Sequence, residues 1–242
     1  MDRSVYQQMA ELDQRHWWYR ARREVLASLI AREAKPPANG HILELGCGTG
    51  HNLAMLSRFG TVDALELDGE ARALAEKRLG RPVMSAQLPE LKGVAKRRYD
   101  LIGAFDVVEH IADDAGALAS IAVRLKPGGK FVMTVPAHQW MWSAHDVANH
   151  HQRRYSKRSL RALIEHSPLR LDKIGYFNSL LFPLAVVERL ASKLRGKQDA
   201  DLSLPPALLN AALGRAFAAE RHLVGRLPLT PGLSLFAVAS AT

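Results

Sequence analysis

The sequence predicts an α/β fold in which a mostly parallel sheet carries helices on both faces. Two observations point there. Residues 42–50 read Ile-Leu-Glu-Leu-Gly-Cys-Gly-Thr-Gly, an apolar strand with an acidic residue followed by three glycines at alternate positions. From His41 to Pro136, strand-like apolar runs then alternate with helix-like segments, the pattern of a doubly wound sheet. The 242 residues suffice to bury a sizeable core in one large domain, or in a domain with an insertion.

Each element has its own signal. Residues 4–34 read as mostly helical and carry the cluster His16-Trp17-Trp18-Tyr19-Arg20-Ala21-Arg22-Arg23, which Pro36-Pro37-Ala38-Asn39-Gly40 closes as a turn. A helix is expected from about His51 to Arg58. Parallel strands are expected at Val62–Glu66, Pro82–Ser85, Tyr99–Ala104 and Lys130–Val135. Residues 157–166 look helical, Leu169–Phe177 alternates like an edge strand, and Gly232–Ala239 supplies a final apolar strand. Some fifty residues separate these last two strands. Within them, Leu180, Leu181, Leu184, Val187, Leu190 and Leu194 recur near helical spacing, as do Leu208, Leu209, Ala212, Leu213, Phe217 and Leu223; Gly196–Ser203 between them is polar. The expected organisation is an N-terminal helical segment 1–40, a core 41–177 with a loop at 136–156, an amphipathic helical insertion 178–230, and a closing strand in 231–242.

The glycine turn carries the first functional signal. Gly46, Gly48 and Gly50 can take positive φ and let the backbone approach a ligand without a Cβ in the way. The expected helix beyond them would aim free N–H groups at that ligand. Glu66, sixteen residues past Gly50, ends the second strand with a carboxylate suited to a ribose diol. Together these describe a site for a nucleoside-bearing cofactor. The dinucleotide fingerprint is G-x-G-x-x-G; here the third glycine comes one residue early, and Glu44 stands where it would repel a pyrophosphate but welcome a cation.

Glu44-Leu45-Gly46-Cys47-Gly48-Thr49-Gly50 resembles the first motif of class I S-adenosylmethionine-dependent methyltransferases. Tyr99-Asp100-Leu101-Ile102 with Asp106-Val107-Val108-Glu109-His110-Ile111 resembles their fourth-strand motif, and Leu125-Lys126-Pro127-Gly128-Gly129-Lys130-Phe131 the turn into the fifth strand. The resemblance implies a Rossmann-like, seven-stranded sheet whose last two strands pair antiparallel, with S-adenosyl-L-methionine as cofactor. It implies that Glu44, Gly46, Cys47, Gly48 and Gly50 cradle the methionine part and that Glu66 holds the ribose, with Leu67 beside it. Asp106 would line the pocket. Gln87 stands where the family often has an Asp near the adenine. A bacterial group that pairs a similar loop after the fifth strand with an N-terminal His-Trp-Trp segment implies that Trp18, Tyr19 and Arg23 close over the cofactor. Asp106, Glu109 and His110 also resemble the metal-binding stretch of ubiquinone-pathway and small-RNA methyltransferases, although many relatives with a similar stretch need no metal, and no metal is expected here.

The acceptor side is read from the loop after the fifth strand. Trp140 and Trp142 could form an apolar wall, His145 or His150 a base beside Asp146, and Arg153 with Arg154 an anion clamp. Residues 136–242 hold fourteen Lys and Arg against seven Asp and Glu, whereas residues 41–135 are balanced at twelve each. That asymmetry favours an anionic substrate or surface. The expected acceptor is small or lipid-linked, and the insertion is a candidate lid or foot on an anionic membrane surface. Cys47 is the one cysteine, so no internal disulfide forms, and a cytoplasmic location fits, with peripheral contact at the inner membrane face open. No stretch reaches 18 apolar residues, and no nucleic-acid-binding module is present. The competing readings are an NAD(P)-dependent oxidoreductase and a non-catalytic membrane-surface or partner-binding module of the same fold.

Overall fold

The computed structural model describes residues 3–195 and 204–241. The chain opens with helices α1 (Arg3–Leu12) and α2 (Trp17–Leu29), followed by β1 (Gly40–Leu45), a short α3 (Leu53–Leu56) and β2 (Gly60–Leu65). Helix α4 (Gly69–Leu79) leads to β3 (Tyr99–Phe105), α5 (Asp114–Ala122) and the long β4 (Leu125–Pro136). Helices α6 (Ala144–Ala148) and α7 (Lys157–Glu165) precede β5 (Leu169–Phe177); α8 (Phe182–Arg195), α9 (Ala207–Ala219) and β6 (Ser234–Ala241) follow.

The strands form one sheet in the order β2-β1-β3-β4-β6-β5. β1 pairs in parallel with β2 on one side and β3 on the other, β4 continues in parallel, and β6 lies antiparallel between β4 and β5. Among the described residues six strands form where seven were expected. Pro82–Ser85 contributes a single bridge, Met84 to Leu65. Pro82 has no N–H to offer a ladder, and Met84 alone exchanges bonds with Ala64 and Glu66 before the chain leaves the sheet.

Strand alternation divides the core between two faces. Ile42, Leu101, Val132, Phe236 and Val238 face α2, α3 and α9, meeting Val25, Leu29, Leu56 and Phe217. Leu43, Ile102, Met133, Leu235 and Ala237 face α5 and α7, meeting Leu118, Ile121, Leu160 and Ile164. The helix after the glycine turn is shorter than expected: its first residues close i→i+3 turns, Gly50 N–H to Cys47 O and Leu53 N–H to Gly50 O, so only Leu53–Leu56 are α-helical.

The stretch between β5 and β6 splits in character. Helix α9 is part of the body: Phe217 is buried against α2, and Asn210 accepts from the Trp17 N–H at 2.9 Å while donating to Arg15 O. Helix α8 keeps Leu184, Val187 and Leu190 exposed. Gly196–Ser203, the expected polar link, lies outside the described residues. No helix among the described residues is long and apolar enough to cross a membrane.

The start of α8 is fixed by one buried acid. Glu220, fully buried, accepts the N–H groups of Asn178, Ser179 and Leu180 at 2.6–2.7 Å. Burial pushes its carboxyl up, and the three donors oppose that shift. Glu220→Gln turns an amide N–H₂ toward those donors, and we expect a loss of about 3 kcal/mol in urea unfolding. A loss below about 1 kcal/mol would show that the cap is dispensable.

Candidate active site

In an open sheet, ligands bind beyond the carboxyl ends of the strands where the winding reverses. Here that point lies between β1 and β3, and a cavity of about 1510 Å³ opens there. Its floor is the glycine turn. Gly46 has φ +61°, and a Cβ on it would lie 2.9 Å from Val107 Cγ2. Gly50 has φ +84°, and a Cβ there would meet the Ala75 backbone at 3.0 Å. Gly46 and Gly48 line the cavity, with Tyr6 and Met9 of α1 opposite Gly48. Gly50 serves the packing of the turn against α4.

Two buried carboxylates flank this turn. Glu44 Oε1 accepts from Asn52 Nδ2 at 2.8 Å, while Oε2 has no partner among the described residues. Burial pushes its carboxyl up to about 8, partly offset by Asn52 and by the Arg22 charge. Glu66 accepts from the Gly48 N–H at 2.8 Å and the Asp68 N–H at 2.9 Å, and from the Tyr6 hydroxyl at 3.4 Å. Leu67 is exposed along the same wall. Gln87 is exposed and outside the lining; Ala86 and Leu88 line the cavity in its place, because in this extended segment neighbouring side chains alternate.

Asp106, at the end of β3, has φ +58° and lines the cavity. Its carboxylate is held by Arg22 Nη2 at 2.7 Å and by the Thr134 hydroxyl at 3.0 Å. Arg22 also lies over the Trp18 ring, 5.0 Å from its centroid. Tyr19 is buried in the wall. Arg23 points elsewhere and bonds Asp13 O. On a helix, residues four apart share a face, so Trp18 and Arg22 belong together and Arg23 does not. His51, whose ring meets Tyr19 edge-on, is held neutral, with burial lowering it to about 3.

The loop after β4 supplies the opposite wall. Trp142 and His145 line it, but Trp140 is outside, half exposed and packed on His138 and Phe182. His150 is exposed and also outside the lining. Asp146 is fully buried and does not face the cavity: Arg154 holds it through two bonds, Nε–Oδ1 at 2.8 Å and Nη2–Oδ2 at 2.9 Å. Arg153 pairs with Asp114 at 2.6 Å instead of facing the cavity. The anion clamp expected of Arg153 and Arg154 is therefore already committed to carboxylates of the chain. Asp106, Glu109 and His110, the stretch that resembles a metal-binding motif, do not form one cluster, since Asp106 is taken by Arg22. Glu109, His110 and His151 do converge, with one ligand atom each within 4.8 Å of one another.

Sequence reasoning missed Tyr6, Arg22, His51, Asn52 and His151. The i, i+4 spacing of Trp18 and Arg22 was a readable signal; for Tyr6 and His151 no local pattern exists. Cys47 is buried beside Glu44 and Glu66, and burial together with these anions pushes its thiol up. We expect no reaction with a thiol reagent in the folded protein at neutral pH and one equivalent after unfolding; rapid reaction in the folded state would contradict this packing.

Comparison with known proteins places the chain. The methyltransferase domain family matches residues 17–173. The trans-aconitate 2-methyltransferase of Deinococcus radiodurans is 32% identical over 145 residues, 57% of this chain and 51% of that protein. The ubiquinone biosynthesis O-methyltransferase of Bradyrhizobium is 29% identical over 104 residues, 41% of each chain. The matches thus span about half the length of these curated relatives or less. Among solved structures, an S-adenosylmethionine-dependent methyltransferase from Archaeoglobus fulgidus superposes with a TM-score of 0.57 at 15% identity, covering 90% of this chain and 94% of that one. Haemonchus contortus phosphoethanolamine N-methyltransferase 2, in complex with S-adenosyl-L-methionine, gives 0.59 at 16% identity, covering 89% and 51%. With the family match over more than half of its length, the chain belongs to the class I S-adenosylmethionine-dependent methyltransferases.

Proposed function

We propose that this methyltransferase modifies an acceptor with an apolar body and an anionic group, reached from a membrane surface. The observation that carries this reading is the double use of α8. One side of that helix gives Ala185, Glu188 and Arg189 to the cavity wall. Its other side leaves Leu184, Val187 and Leu190 exposed, and Leu208, at the start of α9, is 88% exposed. Exposed apolar residues on the same helix that walls a ligand cavity suit a substrate that arrives from lipid. Arg189 keeps a buried Nε without a partner and replaces Arg153 as the candidate cation for an anionic acceptor. Relatives named for trans-aconitate and for ubiquinone biosynthesis are consistent with a small or hydrophobic acceptor.

For the cofactor we assign Glu44, Gly46, Gly48, Glu66, Leu67 and Asp106, with Tyr19 and Arg22 above them. The fit rests on two features: the turn leaves no room for a Cβ at Gly46, and Glu44 Oε2 is a buried acceptor suited to an ammonium. Bound there, S-adenosylmethionine supplies an electrophilic methyl group on a sulfonium. The chain's part is to fix the donor, exclude water with Trp18, Tyr19 and Trp142, and orient the nucleophile, which provides much of the rate in such displacements.

The sign of the Glu44 effect follows from its raised value. Between the ordinary carboxylate range and about 8, the unfolded chain gives up this proton and the folded chain keeps it. The free protein therefore loses stability as pH rises through that window, and a cationic ligand that favours the ionised form binds more tightly. We expect S-adenosylhomocysteine affinity, by calorimetry, to rise between about pH 6 and about pH 8 more steeply in the wild type than in Glu44→Gln, which binds roughly tenfold or more weakly. Equal pH profiles would remove Glu44 from the site.

For the acceptor, labelled methyl groups supplied to membrane and soluble extracts are expected in the membrane fraction. Co-sedimentation with anionic vesicles is expected to fall in a Leu184→Asp, Val187→Asp variant that still binds S-adenosylhomocysteine. Label confined to soluble products would overturn the membrane reading, and label in neither fraction would count against turnover itself.

A further inference from the structure

We propose that His151 is the base that takes the proton from the acceptor's nucleophilic O–H or N–H. The inference rests on the methyl-transfer reading but not on the acceptor's identity.

His151 lines the cavity, and its Nδ1 lies 2.9 Å from Asp146 Oδ1. Asp146 is fixed by two further residues. Arg154 spans both of its oxygens, the Ser143 N–H and hydroxyl reach Oδ2 at 2.8 and 3.0 Å, and the side chain has no exposure to solvent. Burial alone would raise this carboxyl, but the His151 and Arg154 bonds outweigh it and hold the group well below the usual range. A carboxylate that stays ionised can only accept, so the shared proton belongs to Nδ1 and the lone pair to Nε2. An orienting acid behind a cavity-lining imidazole is the arrangement general-base chemistry needs.

The surroundings leave Nε2 available. Glu109 Oε1 is 4.0 Å away, beyond hydrogen-bond reach, and burial with the nearby Asp106 and Asp146 charges pushes the Glu109 carboxyl well up, toward its neutral form. His110 meets the His151 ring edge-on at 4.6 Å and is itself lowered to about 4, by burial and then by the neighbouring imidazole. Arg154 and, from α8, Arg189 are the nearby cations, and His145 is the further imidazole on α6. The other histidines are less well placed. His145 Nε2 meets Asn149 Nδ2 at 3.2 Å, His138 Nε2 meets Gly232 O at 3.0 Å, and His150 lies outside the cavity wall.

The step balances without another reactant. The acceptor's proton passes to His151 Nε2, and the freed lone pair bonds to the methyl carbon as the carbon–sulfur pair returns to sulfur. The products are the methylated acceptor, a neutral thioether and an imidazolium facing Asp146, which then releases its proton to solvent.

Two measurements test this. In ¹⁵N-histidine NMR of the protein without cofactor, we expect His151 as the Nδ1–H tautomer, with Asp146→Asn losing that preference. An Nε2–H tautomer in the wild type would overturn the proposal. In the labelled-methyl assay, His151→Gln and Asp146→Asn are expected to lose roughly 100-fold or more in rate while S-adenosylhomocysteine affinity stays within twofold. A His151→Gln rate within twofold of wild type overturns the assignment, whereas a wild type that transfers no label defeats the methyl-transfer reading instead. Stoichiometric Zn²⁺ or Mg²⁺ binding that shifts the His151 Nε2 resonance would also overturn it, since a coordinated nitrogen cannot accept the proton.

Discussion

The functional edge of this molecule depends on β1 being paired along both sides. Its parallel ladders to β2 and β3 bring Glu44, Glu66 and Asp106 to one rim, because each stands at or just past the carboxyl end of one of the three strands. A slip of one residue in β1 would reverse which side chains face α2 and which face α5. It would also move Glu44 off the rim. Ile42 and Leu43, fully buried and packed on opposite cores, make that slip costly, so the core holds the chemistry in register.

In and around this rim, buried acids other than Glu66 are handled in different ways. Glu220 is satisfied by backbone N–H groups and serves only architecture. Asp146 is held ionised by an arginine fork and an imidazole. Glu44 is half satisfied and shifted upward, and Glu109 has no side-chain hydrogen-bond partner at either oxygen. Leaving buried carboxyl oxygens unpaired is costly for the fold; Glu109 belongs to the cavity wall, and Glu44 stands two residues before Gly46, which lines it. The two that are fully paired set the frame.

Much of this was legible in the sequence for local reasons. The Glu44–Gly50 turn, the Glu66 carboxylate and the β3 and β4 strands are each written within a dozen consecutive residues, where periodicity and glycine spacing suffice. The acceptor wall was not, because its outcome turned on distant pairings. Arg153 and Arg154 are neighbours in sequence, yet one is spent on Asp114 and the other on Asp146. Trp140 and Trp142 likewise part company, one outside the cavity and one within it. Strand Pro82–Ser85 shrank to a bridge through a proline whose effect was readable, and Arg23 gave way to Arg22 through helical phase.

The placement of β6 has a consequence for how the chain folds. The last strand in sequence is an interior strand of the sheet, seated between β4 and β5. Among the described residues strand β5 has no other partner in the sheet, so both it and the exposed side of β4 must wait, unpaired, while the two following helices are made. During synthesis the nascent sheet therefore presents an unfinished edge for some sixty residues, the condition under which strands pair with the wrong chain. Helix α9, packed on α2, holds the chain beside the gap that β6 has to fill.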